Sequence, residues 1–364
     1  MEIGVIGLET QGHLHAEILD RMGHDVRGVD INLDNRERFA DQFDTVTYEN
    51  PSALFEAGVD AVWVTAPNKF SERPAVQAFE RGLDVFVEKP LAHSVESARA
   101  VRDAAASSSG LGMVGYPDLF FNSVEALKER IDSGYFGEVY HVEARNVRRE
   151  GIPQIGSWFT NAELAGGGAL LDIGSNVVAL VDYLLDSPTY ADLQGVTRQA
   201  FGHRPDYWEA DPEEHVTQAF TVDDSASAHL CTDDGRSVSL EIAWAANRPT
   251  VHEYYVQGTE AGAYLDLTDG NRVDHYESPA VERLVLYPSG TADGDGQGDE
   301  VDVDVVPDAA YNRQFAHFFD AIDRGEPPAI NTIADGFRVQ GVIDRIYDTS
   351  AEWPRSEGDT TDKP

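Results

Sequence analysis

Lys89 lies at the end of a short apolar run, in Val87-Glu88-Lys89-Pro90-Leu91, and the chain holds only three other lysines, Lys69, Lys128 and Lys363. Such a run reads as a strand buried on both faces, and α/β sheets bind ligands outside the carboxyl ends of those strands. A lysine there is hard to explain as a solubility residue. Hydride transfer from a carbinol carbon needs a group within roughly 3 Å of the hydroxyl to take its proton, and lysine is a side chain that can be tuned to that task.

A second group of polar residues closes the stretch Ala165-Gly166-Gly167-Gly168-Ala169-Leu170-Leu171-Asp172-Ile173-Gly174-Ser175-Asn176. Asp172 and Asn176 are four apart on a helix predicted over 169–185, so their side chains share a face. Either they point into a site or they are surface polars beside a glycine-rich loop. Upstream, Trp158 and Phe159 offer a stacking wall for a sugar ring, or else pack into the core.

The first strand runs into Gly7-Leu8-Glu9-Thr10-Gln11-Gly12 and then a helix, the context in which a dinucleotide fingerprint carries weight. Asp30 ends the second strand, where a carboxylate accepts a ribose 2′-hydroxyl and repels a 2′-phosphate; this predicts NAD rather than NADP. The middle glycine of the fingerprint is Glu9. Its Cβ crowds the phosphates and its carboxylate adds repulsion unless the side chain turns outward. The plainer reading of the segment is a βαβ unit that holds no nucleotide.

Other constellations are poor. His13 and His15 have no cysteine partner or HExxH spacing, and His203, His215, His229 and His252 are scattered, so no metal site is expected. Ser175 follows Gly174 inside a predicted helix, where a strained nucleophile turn cannot form. The single cysteine, Cys231, cannot form an internal disulfide and reads as a core strand residue.

The elements that must position these residues follow two patterns. Up to Tyr116, apolar runs at 3–7, 26–30, 61–66, 85–88 and 111–116 alternate with helical patterns at 12–22, 36–43, 72–81 and 94–106. This is the pattern of a doubly wound parallel sheet covered on both faces. Beyond it come a helix at 123–132, an alternating strand at 139–147, the helix at 169–185, and strands at 216–222, 227–231, 237–244, 251–257 and 263–267. Strands in series imply an α+β domain with a largely antiparallel sheet open on one side. An acidic loop at 288–304 precedes two closing helices, 311–324 and 333–349. Their stripe of Phe315, Phe318, Phe319 and Ile322 reads as core. The expected division is 1–116, 117–352 and a disordered acidic tail over 353–364, of which 357–364 is the clearest part.

At 364 residues, two domains are favoured. Sixty-five acidic residues against 27 basic ones leave a net charge of −38. That excludes a general nucleic-acid binder, which needs a positive footprint, and argues against docking on anionic membranes. With lysine this scarce, the composition reads as adaptation to molar salt, which screens self-repulsion. No run approaches the length of a membrane span and no leader pattern is present, so a soluble cytoplasmic protein is expected.

Taken together, the fingerprint, Ala66-Pro67-Asn68, the Glu88-Lys89-Pro90 triplet, the glycine-rich stretch ending in Asp172 and Asn176, and the change of pattern at Tyr116 resemble the Gfo/Idh/MocA family. That family is named for glucose-fructose oxidoreductase, inositol dehydrogenase and the rhizopine-catabolism protein. The similarity runs to a closing helix near 342–350. It implies an N-terminal Rossmann domain for NAD and a nicotinamide-dependent dehydrogenase acting on a secondary alcohol of a sugar, cyclitol or polyol between the domains. By the same resemblance Lys89 sits beside the nicotinamide, Pro90 follows a cis peptide, and Asp172 orients the polar network. Glu88, Pro67 and Asn68 line the cofactor with Gly7, Glu9, Thr10, Gln11 and Gly12. A homodimer or homotetramer through the open sheet is also implied.

The chain departs from the family's pattern where Asn176 replaces the usual histidine and Leu119 replaces a frequent arginine. An amide can hydrogen-bond a hydroxyl but cannot take its proton. Lys89 then acts as base through a water or Asp172, or Tyr116 substitutes, or the protein does not turn over. The alternative function is a silent relative that binds nucleotide or sugar as a sensor or regulatory partner.

Overall fold

Ile3, Val5, Val62, Trp63, Val85 and Phe86 are withdrawn from solvent, as strands with helices on both faces require. The computed structural model describes residues 1–154, 156–204, 220–268, 282–289, 299–306 and 309–352. Six parallel strands form the first sheet: β1 (Glu2–Ile6), β2 (Asp25–Val29), β3 (Thr47–Tyr48), β4 (Ala61–Val64), β5 (Asp84–Glu88) and β6 (Gly112–Gly115). Their order is β3-β2-β1-β4-β5-β6. The order reverses between β1 and β4, and the crevice at that reversal is where a doubly wound sheet takes its ligand.

Helices α1 (Thr10–Arg21), α2 (Leu33–Phe43), α3 (Pro51–Ala57), α4 (Glu72–Phe79) and α5 (Val95–Ser107) connect the strands. The side chains of Asn32, Asn50 and Ser94 accept from the first-turn amides of α2, α3 and α5. Neither α3 nor β3 was expected, although Asn50-Pro51 is a cap followed by the proline that suits a first helical position.

After α6 (Asn122–Asp132) the chain builds a nine-stranded sheet around β7 (Val139–Val147). Two short helices, α7 (Ala162–Ala165) and α8 (Ala169–Asp172), lead into α9 (Gly174–Leu184). Strands β8 (Tyr190–Arg198), β9 (Ser225–Thr232), β10 (Ser237–Ala243), β11 (Val251–Gly258), β12 (Ala261–Asp266), β13 (Arg283–Pro288) and β14 (Val301–Val303) follow. Helices α10 (Ala310–Arg324) and α11 (Ile333–Thr349) come next, and then β15 (Ala351–Glu352). The order is β14-β13-β12-β11-β7-β10-β9-β8-β15. β7 pairs with β10 and β8 with β15 in parallel, and the remaining neighbours are antiparallel.

The expected helix over 169–185 is two helices. The segment Ala162–Asp172 meets α9 at 48°, with the break at Ile173. Strands β8 and β13 were not expected, and β14 lies inside the stretch read as an acidic loop. Cys231 stands on β9 but is half-buried, because its position alternates onto the outer face with exposed His229. Positions 216–219, 290–298 and 353–364, and His215, lie outside the described residues.

The closing helix α10 packs its aromatic stripe on the first sheet, as the core reading required. Phe315, Phe318 and Phe319 place their rings 5.4–5.6 Å from that of Trp63, and Phe315 is 5.2 Å from Phe86. The turn before α11 also joins that sheet, where Val114 N donates to Asn331 O at 2.7 Å. Among the described residues no single helix is long and apolar enough to cross a membrane.

Candidate active site

Lys89 follows the last residue of β5, and its Nζ donates to Oδ1 of Asp172 at 2.7 Å and to the Asp172 carbonyl at 3.3 Å. The two side chains keep 21% and 16% of their surface, so the pair is shielded yet reachable from a cleft of about 340 Å³. The Lys89–Pro90 peptide is cis. Asp172 is held from the other side by Trp244, whose indole Nε1 donates to Oδ2 at 2.9 Å. Burial by itself pushes the Asp172 carboxyl up, but the charges of Lys89 and Arg148 and these two hydrogen bonds outweigh it and hold the group below its usual range. Asp172 is therefore a fixed carboxylate.

Its position depends on the glycine-rich approach. At Gly166, φ is +85° and a Cβ would lie 1.8 Å from the carbonyl oxygen of His93, so only glycine permits this contact. Buried Asp223 holds the next turn: Oδ1 accepts from Gly168 N and from Tyr347 OH, and Oδ2 accepts from Leu170 N. Asn68 Nδ2 donates to Ala165 O at 2.8 Å, which ties the end of β4 to the same loop.

The helix break at Ile173 does not separate Asp172 from Asn176, because both line the cleft. Asn176 is 5% exposed, and its Oδ1 makes no hydrogen bond among the described residues. Trp158 and Phe159 stack on each other at 3.8 Å and form one wall. Arg148, one residue beyond β7, also faces the cleft. Tyr116 does not. Contrary to expectation it lines a separate cavity of about 230 Å³ with Asp182 and Asp335, and only its neighbour Pro117 reaches the cleft. Burial, then the nearby carboxylates, push its phenol far above the usual range, so Tyr116 is no replacement base.

β1 turns into α1, whose Gln11 also lines the cleft. A Cβ at Gly12 would fall 1.9 Å from the Gly7 carbonyl oxygen, so the helix can begin this close to the strand only with glycine there. The side chain of Glu9 is exposed and caps nothing, and the first turn of α1, starting at Thr10, carries no acidic residue. An uncapped helix N-terminus at a glycine turn is an anion site, as a pyrophosphate requires. Asp30 stands beside it, with Oδ2 accepting from Leu8 N at 2.8 Å and Oδ1 from Asn32 N at 2.7 Å. Buried Glu88 accepts from Lys89 N at 2.8 Å and lies 3.1 Å from His15 Nε2. Gln11 Nε2 donates to Tyr311 OH at 2.8 Å, and Pro67 is half-buried beside Asn68. These residues fit a dinucleotide, with Glu9 as the one misfit.

The sequence reading missed four contributors: Arg148, Asp223, Trp244 and Tyr347. Three of them act on the site only through contacts across the fold, and nothing local distinguishes Arg148 from its neighbours Arg145 and Arg149.

Residues 1–116 match the family model described as the oxidoreductase family, NAD-binding Rossmann fold, and residues 124–264 match the GFO/IDH/MocA C-terminal domain. An Amycolatopsis mediterranei protein assigned as the oxidoreductase subunit of a UDP-kanosamine synthase is 32% identical over 70% of this chain and 71% of its own. The D-glucoside 3-dehydrogenase of Escherichia coli is 26% identical over 90% of this chain and 88% of its own. Levoglucosan dehydrogenase, solved with NADH and levoglucosan, superposes with a TM-score of 0.81 over 96% of this chain and 97% of its own at 20% identity, a likeness of fold. With both halves of the chain matched and a relative this similar over most of its length, the protein belongs to the Gfo/Idh/MocA family of oxidoreductases.

Proposed function

We propose that the protein is an NAD-dependent dehydrogenase that oxidises a secondary alcohol of a sugar, cyclitol or related polyol. The observation that carries this reading is the Lys89–Asp172 pair, held at 2.7 Å at the surface of a cleft between the glycine turn and the aromatic wall. NAD, when bound, supplies the hydride acceptor. Gly7, Gly12 and the start of α1 would hold its pyrophosphate, Asp30 its ribose, and Glu88, Asn68, Pro67, Gln11 and Pro90 its nicotinamide half. Asp30 favours NAD over NADP because a second carboxylate-like charge would face it.

Within this reading Lys89 receives the substrate hydroxyl and, as the amine, takes its proton. Asp172 stays anionic and stabilises the ammonium that forms, while Trp244 keeps the carboxylate from rotating. Asn176 offers its unpaired amide oxygen to a second hydroxyl and moves no proton. Trp158 and Phe159 give the sugar ring an apolar face.

A second reading has support from Asn176 and Glu9: a silent relative that binds nucleotide or sugar without turnover. The experiment that separates the two is a titration of NAD and NADP into the folded protein in about molar KCl, followed by a screen of sugars and polyols for reduced cofactor with Lys89→Ala alongside. NAD binding with turnover that Lys89→Ala abolishes supports the dehydrogenase. NAD binding without turnover on any alcohol favours the silent reading, and binding of neither cofactor removes the dehydrogenase reading and leaves only a silent relative that binds sugar. The high-salt medium follows from the net charge of −38, which we take as adaptation to molar salt in the cytoplasm of the source cell. The open face of the second sheet, with half-exposed Tyr140, is where we place a homodimer contact.

A further inference from the structure

Arg148 is the arginine that lines the cleft, and among the described residues it is unpaired where most other part-buried arginines are not. Arg145 pairs with Glu143 and Glu253, Arg236 with Asp234, Arg313 with Glu125 and Arg338 with Asp182. Among the described residues the guanidinium of Arg148 has no hydrogen bond, ion pair or aromatic ring, although the chain carries 65 carboxylates for 27 basic side chains. It faces the cleft. The carboxylate whose charge it feels, Asp172, already has one oxygen on Lys89 and the other on Trp244. Its other titratable neighbour is His252, buried and close to Asp118, and burial first, then Arg148, discourages a positive charge there. The stem of Arg148 runs over Gly151, where a Cβ would come within 2.7 Å of its Cδ, so the loop leaves the arginine its place. Within the cleft Lys89 and Asp172 cancel, and Glu88 lies against His15. Of the two cations lining the cleft, Arg148 is the one with no carboxylate in direct contact.

We propose that Arg148 is a specificity-determining residue and that the substrate is an anionic sugar, carrying a carboxylate or phosphate that the Arg148 fork receives while a hydroxyl of the same ring lies on Lys89. This rests on the dehydrogenase reading only in placing the sugar in the cleft. A planar guanidinium matches both oxyanions bidentately. The glycine turn and the start of α1 would take the pyrophosphate of NAD, which leaves Arg148 for the substrate. A protein of net charge −38 repels anions at long range, and selection for one requires a cation at close quarters.

The test is binding of D-glucose, D-glucuronate and D-glucose 6-phosphate, with D-galactose and D-galacturonate as a second pair, to the NADH-loaded protein. Binding is read by tryptophan fluorescence, and turnover, where it occurs, by kcat/KM with NAD in place of NADH as the hydride acceptor. The wild type should prefer at least one anionic member of a set by about tenfold or more, the scale of a charge-assisted hydrogen-bonded pair. Arg148→Gln should bring that ratio near one with NADH affinity retained, Arg148→Lys should keep part of it, and added KCl should shrink it. The glucuronate and phosphate arms tell which oxyanion is preferred. A wild-type ratio at or below one, a ratio unchanged in Arg148→Gln, or no binding of any of these sugars overturns the inference. Anion-selective binding without turnover overturns the dehydrogenase reading alone, and turnover of neutral sugars without preference overturns the inference alone.

Discussion

The indole Nε1 of Trp244 donates a 2.9 Å hydrogen bond to Oδ2 of Asp172, so the carboxylate that holds Lys89 is itself anchored in the second sheet. Trp244→Phe keeps most of the packing and deletes this donor. Loss of a hydrogen bond to an ionised group costs about 1.5–3 kcal/mol. We expect kcat/KM to fall roughly tenfold or more, with NAD affinity unchanged. Removing a donor to the charged form also raises the Asp172 pKa, so the acid limb of the pH profile should move upward. A profile that keeps its shape would show that the indole only fills space.

Asn176 lines the cleft with an unpaired amide oxygen and no group that can take a proton. Asn176→His should raise kcat on the preferred alcohol by about 10²-fold at most, the lower end of what a positioned acid or base contributes. Steady-state rates at pH 7 to 9 would show it. No gain would mean that Lys89 and Asp172 already suffice.

Glu9 stands exposed at the uncapped start of α1, where a pyrophosphate is expected. Glu9→Gly removes a like charge near the helix N-terminus, an effect of about 0.3–1 kcal/mol at low salt. NAD should therefore bind about two- to fivefold tighter in dilute buffer, and the gain should fade in molar KCl. An equal gain at both salt concentrations would point to the Cβ rather than the charge.

Asp182 on α9 is 4% exposed, accepts from Tyr190 OH at 2.7 Å and pairs with Arg338 at 2.8 Å. Burial, only partly offset by these partners, pushes its carboxyl up to about 6 from 3.8. The folded state thus holds this proton more tightly than the unfolded chain. The resulting stabilisation is complete below about pH 3.8 and is lost as pH rises through about 6. Asp182→Asn cannot ionise, so its stability relative to wild type should climb across that window, by roughly 3 kcal/mol at most. Denaturant unfolding at fixed KCl from pH 4 to 7 measures the difference, and a flat difference would refute the assignment.

The parallel sheet was legible because Ile3, Val5, Val62 and Val85 belong to strands covered on both faces, which leaves uninterrupted apolar runs. Lys89, Asp172 and Asn176 were legible as a set through the motifs around them. The break at Ile173 was hidden because Ala169 to Leu184 is apolar nearly all round, so helical periodicity could not mark it. β8 escaped because its outward positions, Ala191, Asp192 and Gln194, look like a loop without knowledge of α11 lying behind them. Tyr116 closes the apolar run 111–116 and follows β6 directly, and the contact of its carbonyl with Asn331, over two hundred residues away, bears on which cavity it enters. Trp244 and Asp223 carry no local mark, since their partners are distant in sequence.

The aromatic stripe of α10 bears on how the protein comes into being. Trp63 and Phe86 emerge from the ribosome early, but Phe315, Phe318 and Phe319, which cover them, are made almost last. At typical elongation rates the nascent first sheet spends on the order of tens of seconds with an apolar flank bare. During that interval it is a client for chaperones, and a transcript cut short before α10 would yield a sticky product rather than a small working domain.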